Sequence, residues 1–109
     1  MDTRVVTANV ASGATISSVI MTSGFVRYGL ELPAAFTGTA ITFQVTSDLN
    51  GATGFQVLCS SATTAVTMTV AASRSYDLTD TLRAWQGFKI VTGTAQATAV
   101  ALVVSMVSS

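Results

Sequence analysis

The sequence predicts an all-β protein: an antiparallel β-sandwich, jelly-roll-like, with about eight strands and one short helical turn. Three observations carry this. β-Branched residues alternate with polar ones from end to end, turn signals recur at intervals of roughly ten residues, and helical periodicity is confined to one short stretch. The 109 residues suffice for one domain and one core, with residues 1–10 as an N-terminal arm or edge strand.

The elements follow in order. "TRVVTANV" (Thr3 to Val10) is a first strand, closed by the Ser12-Gly13 turn, and "TISSVIM" (Thr15 to Met21) a second. In "FVRYGLEL" (Phe25 to Leu32), Val26, Tyr28, Leu30 and Leu32 form the core face and Arg27 and Glu31 the opposite one. Pro33 ends that strand because it has no N–H for a ladder, and Phe36 in the following loop caps one end of the core. Ile41, Phe43 and Val45 then alternate with Thr42, Gln44 and Thr46, and "SDLNGATG" turns the chain into a hairpin. The return strand "FQVLC" is expected to bury Phe55, Val57 and Cys59. "AVTMTV" (Ala65 to Val70) places Val66, Met68 and Val70 in phase. "DTLRAWQG" is the helical stretch, with Asp80 as N-cap and Gly87 as stop. "FKIVTG" and "TAVALVVSMV" close the chain as two apolar strands.

Composition limits the function. Five Lys and Arg balance five Asp and Glu, and charged residues make up 9% of the chain, where roughly a quarter is usual. A nucleic-acid partner is therefore not expected, because a duplex is held by phosphate neutralisation. The chain contains no histidine, which excludes Ser-His-Asp and Cys-His catalysis and removes the commonest metal ligand. Asp77 and Asp80, three residues apart, are the one pair of carboxylates to weigh. Glycosidase chemistry needs its two acids placed across a sugar in a formed cleft, and the pair is read instead as a turn residue and a helix cap. Asp48 and Asn50 serve the turn of their own loop rather than a calcium ion. No catalytic residue, cofactor or metal is assigned. The single cysteine, Cys59, rules out an intrachain disulfide and is read as a small core residue. "TAVALVVSMV" is about half the length of a membrane-spanning helix, and no apolar leader follows "MDTRVV", so neither membrane insertion nor export is expected.

Half the residues are hydrophobic, and Thr and Ser fill most of the other positions. A neutral coat of hydroxyl and methyl groups at zero net charge suits an obligate oligomer or a lattice subunit. Trp85 is read as a plug at the end of the core. Its alternative, shared with Tyr28 and Tyr76, is a glycan platform.

"LELPAAFTGTAITFQVTSD", "GFQVL", "TVAASRSYDL" and "WQGFKIVTGTAQA" together resemble a group of small proteins encoded in the structural gene modules of tailed bacteriophages. The shared features are a strand ending in Pro33-Ala34, a Phe-bearing hairpin, and a Tyr-Leu segment leading to an aromatic residue and a Lys-Ile-x-Ser/Thr-Gly-Thr strand. The resemblance spans Ala11 to Val107. It implies a virion component made in the host cytoplasm, most directly a capsid decoration or cement protein that bridges neighbouring capsid subunits. The alternative it implies is a tail-associated carbohydrate- or receptor-binding module. "GFKIVTG" is also similar to a strand of galactose-binding-like sandwiches, but the loop residues of a sugar site are missing from this chain. The implied partners are the major capsid protein or other virion proteins and further copies of the chain, as a trimer or dimer. Arg4, Arg27, Glu31 and Arg74 are the candidate protein-contact residues.

Overall fold

The computed structural model describes residues 2–22, 24–78, 82 and 84–108. Their strands are β1 (Thr3–Val10), β2 (Ile20–Met21), β3 (Arg27–Glu31), β4 (Ala40–Thr46), β5 (Gln56–Val57), β6 (Cys59–Ser61), β7 (Thr64–Ala65), β8 (Met68–Thr69), β9 (Ser75–Asp77), β10 (Gly87–Val91) and β11 (Val100–Val107). One antiparallel sheet runs β1-β11-β3-β9 and a second β2-β10-β4-β5, with β8 also on β4 and β6-β7 as a separate hairpin. The molecule is thus all-β, with several antiparallel sheets in an arrangement compatible with a β-sandwich.

Alternation explains the core. Tyr28 and Leu30 of β3, Leu102, Val104 and Met106 of β11, and Ala8 and Val10 of β1 are buried from the first sheet. Ile41, Phe43 and Val45 of β4, with Phe88 and Ile90 of β10, are buried from the second. The fully enclosed Phe88 meets Tyr28 edge-on at 6.1 Å and Phe43 at 6.2 Å between ring centroids, so one aromatic group ties the two sheets together. Burying one such ring stabilises by about 1.5–3 kcal/mol, and the edge-to-face contacts add to this. Phe36 closes the core as expected.

Four expectations are corrected. Within Thr15 to Met21 only Ile20–Met21 is a strand, preceded by an isolated bridge between Ile16 and Val91. The ladder breaks at Ser17, whose Oγ accepts the Ile90 N–H at 2.9 Å in place of a main-chain carbonyl. In the return strand, Gln44 pairs with Val57 and Val45 with Gln56, while the Leu58 N–H donates to the Phe43 carbonyl. Val57 therefore shares the outward face of Gln44 and is 54% exposed, Leu58 turns inward, and Cys59 is exposed rather than in the core. The register sits one residue from the expected one, which turns Val57 and Cys59 outward and Leu58 inward, while Gln56 stays exposed. The "AVTMTV" strand divides into β7 and β8, although Val70 is buried and Val66 and Met68 half-buried as its phase requires. Gly87 opens β10 instead of ending a helix. Of the helical stretch, the Trp85 N–H closes a tight turn on the Leu82 carbonyl at 3.2 Å, and Asp80 lies outside the described residues.

Candidate functional site

The outer face of the first sheet is a regular, partly exposed surface, and its composition follows from strand register. Val5, Ser105, Gly29 and Asp77 form one row across β1, β11, β3 and β9. Thr3, Val107 and Arg27 form the row on one side of it, and Thr7, Val103, Glu31 and Ser75 the row on the other. The half built on β1 and β11 is uncharged: these rows present hydroxyls and methyls, and Asn9 opposite Ala101 adds a carboxamide at one end. The half built on β3 and β9 carries Arg27, Glu31 and Asp77.

Gly29 gives this face its relief. A Cβ there would lie 3.7 Å from the Tyr76 carbonyl oxygen and 3.9 Å from Ser105 Cβ, so the position could hold a side chain without clash and instead forms a floor. A depression of about 480 Å³ opens above it, bordered by Arg27, Asp77, Ser105 and Val107. A smaller one, about 280 Å³, continues past Glu31 and Ser75. Both are shallow and lie on the sheet surface, suited to contact and hydrogen bonding.

One end of the corresponding face of the second sheet, at Thr46 and Gly87, is covered by the chain itself. The 47–54 loop folds back over it, fastened by Thr46 Oγ1, which donates to the Thr53 carbonyl at 2.6 Å and accepts the Asp48 N–H at 3.0 Å. The Asp48 carboxylate accepts the N–H groups of Asn50, Ala52 and Thr53 at 3.0, 2.9 and 3.0 Å. These bonds, that from Asn50 foremost, hold its carboxyl below the ordinary value. Gly51, with φ at 65°, lies buried against Met21. On the same side Lys89 Nζ sits 4.3 Å from the centre of the Phe55 ring.

Of the predicted contact residues, Arg27 and Glu31 share the outer face of β3 on either side of Gly29. Arg74 is exposed in the turn before β9. Arg4 belongs elsewhere: it follows the inward phase of β1 and its guanidinium lies over the Phe25 ring, 5.1 Å from the centre. Residues 3–10 form an edge strand paired with β11 along their full length. Tyr28 is unsuited to a glycan platform because it is buried and donates its hydroxyl to the Phe25 carbonyl at 2.6 Å. The Tyr76 hydroxyl accepts the Ala71 N–H at 2.8 Å. Trp85 is half-buried beside a depression of about 220 Å³ that Gln56, Val57 and Cys59 also line.

Sequence reasoning missed the Gly29 floor. Its signal was a glycine at an outward position between Arg27 and Glu31. Among the described residues no group of three or more His, Cys, Asp or Glu comes together, and no helix is long and apolar enough to cross a membrane. Compared with protein-family models, curated proteins and solved structures, the chain matches none.

Proposed function

We propose that the chain is a structural subunit of a bacteriophage virion, a capsid decoration or cement protein of jelly-roll topology that bridges neighbouring capsid subunits through the outer face of its first sheet. The jelly-roll reading is supported by strand order: β1, β3, β9 and β11 lie in one sheet and β2, β4, β5 and β10 in the other, so the chain crosses between sheets at nearly every long connection. The observation that carries the functional reading is the charge-free half of the outer face, where Thr3, Val5, Thr7, Val103, Ser105 and Val107 stand in register with Val5 66% exposed. Such a surface covers large areas at little desolvation cost, and many modest contacts repeated over a shell act together.

The test is attachment to capsids, with the protein located in virions by electron microscopy. Ser105→Lys sets a charge in the middle of the face and is expected to weaken attachment tenfold or more, about 1.4 kcal/mol per site. Attachment equal to that of the unaltered protein, or absence from virions, would overturn the reading.

A second reading, a tail-associated carbohydrate- or receptor-binding module, draws on Trp85, whose half-exposed ring borders a polar depression. Loss of glycan-array signal on Trp85→Ala would favour it. An array without hits would remove it.

A further inference from the structure

The two main sheets end in four edges, and among the described residues three of them carry strands of two or three residues: β9 on the first sheet, β2 and the β5/β8 side on the second. Short edges are a standard protection against unwanted strand pairing. The fourth edge, β1, is eight residues long, pairs with β11 without a register shift, and contains no proline.

Hydrogen-bond phase shows which of its main-chain groups face outward. At one end Asp2 and Ser108 exchange bonds: the Asp2 N–H donates to Ser108 Oγ at 2.7 Å, and the Ser108 N–H donates to the Asp2 carbonyl at 2.9 Å. Even-numbered residues of β1 therefore turn their N–H and C=O towards β11, and odd-numbered ones away from it. Asn9 confirms the phase, because both of its outward groups are taken by Ser18, with its N–H donating to Ser18 Oγ at 3.0 Å and its carbonyl accepting the Ser18 N–H at 3.0 Å. Thr3, Val5 and Thr7 remain, and no other described residue pairs with their main-chain groups. Their side chains are exposed and uncharged. The nearest charge on the strand, Arg4, is drawn over the Phe25 ring.

We propose that β1 pairs antiparallel with β1 of a second copy about a two-fold axis at Val5, forming a dimer in which one continuous sheet runs through both subunits. The edge is self-complementary in that register. Val5 faces Val5 of the other copy, Thr3 faces Thr7, and the three outward residues of each strand supply both donors and acceptors. Ser18 ends the pairing at Asn9. The contact is isologous and leaves only the short β9 edges at the ends of the joint sheet, so it closes at two subunits. This deepens the reading of an assembled virion subunit, and rests on it for the idea that self-association is the working state.

The test uses the purified full chain alone, by sedimentation equilibrium and amide hydrogen exchange. The wild type is expected to show twice the chain mass, with slow exchange at Thr3, Val5 and Thr7. Val5→Pro removes an outward N–H and leaves the ladder to β11 intact. Val5→Lys alters only an exposed side chain and places two like charges at the axis. Both are expected to sediment as folded monomers, whereas Ser75→Lys on the opposite edge is expected to remain dimeric. A wild type that stays monomeric up to its solubility limit would overturn the proposal, as would a dimer whose Val5 amide exchanges freely or one that survives Val5→Lys. Capsid attachment is scored separately: a monomer that still coats capsids overturns the pairing alone, and a β1-paired dimer that never attaches overturns the virion reading alone.

Discussion

The side-chain amide of Gln96 is joined to the main chain of Thr37 in both directions: the Thr37 N–H donates to Oε1 at 2.9 Å, and Nε2 donates to the Thr37 carbonyl at 2.8 Å. Gln96 is 1% exposed, and its own main chain bonds Gly13 and Ala14. One residue thus fastens the loop after Pro33 and the turn after β1 to the segment before β11. Gln96→Ala would leave half-buried main-chain groups of Thr37 without these partners. A loss of about 2–4 kcal/mol is expected from a denaturant titration, with faster exchange at the Thr37 amide. Unchanged stability would show that the amide bridge is incidental.

Phe88 stands at the centre of the aromatic group that links the sheets. Phe88→Ala is expected to cost about 3–5 kcal/mol, a large share of the roughly 5–15 kcal/mol available to a domain. Phe88→Leu should lose clearly less. Chemical denaturation of both variants checks the order, and equal losses would place the ring's contribution elsewhere.

Asp48 makes stability depend on pH in a stated direction. Its carboxyl titrates below the ordinary value in the folded chain because three main-chain N–H groups bond the ionised form. The stabilisation is therefore complete above the unfolded-state value and is lost as pH falls through the folded one. Acid titration of the unfolding midpoint should show this loss in the wild type. Asp48→Asn should flatten that part of the profile.

Gly51 has a left-handed φ of 65°, and a Cβ there would run into Met21 Sδ. Gly51→Ala is expected to destabilise by about 1–2 kcal/mol through backbone strain. The clash is with the flexible end of a side chain, so trimming it by Met21→Ala should recover only part of the loss. A double-mutant cycle separates the two contributions; full recovery would show that the backbone is not strained.

Long alternating strands were legible in the sequence because their pattern and their burial have the same cause. β1, β3, β4, β10 and β11 fall where alternation puts them, and Tyr28, Leu30, Ile41, Phe43 and Val45 point inward as expected. The short strands were not legible. β5 has two residues, too few for a period, and "FQVLC" offers apolar side chains in either phase, so only pairing with Gln44 and Val45 decides that Leu58 turns inward. Ser17 illustrates a second limit: a hydroxyl that replaces a ladder carbonyl looks like any strand serine until its partner Ile90 is known. At the candidate face, the outward positions of Arg27 and Glu31 follow from alternation alone. The neighbouring rows of β11 and β9 depend on strand order, which no local pattern encodes.

Cys59, displaced to the exterior by the register of β5, is the chain's single cysteine and sits on β6, outside both main sheets. Nature has thereby left the molecule with one chemically addressable point that touches neither the bare sheet face nor the β1 edge. A maleimide dye or a gold cluster attached there would report where the protein resides and how far apart its copies stand, without rebuilding a single residue.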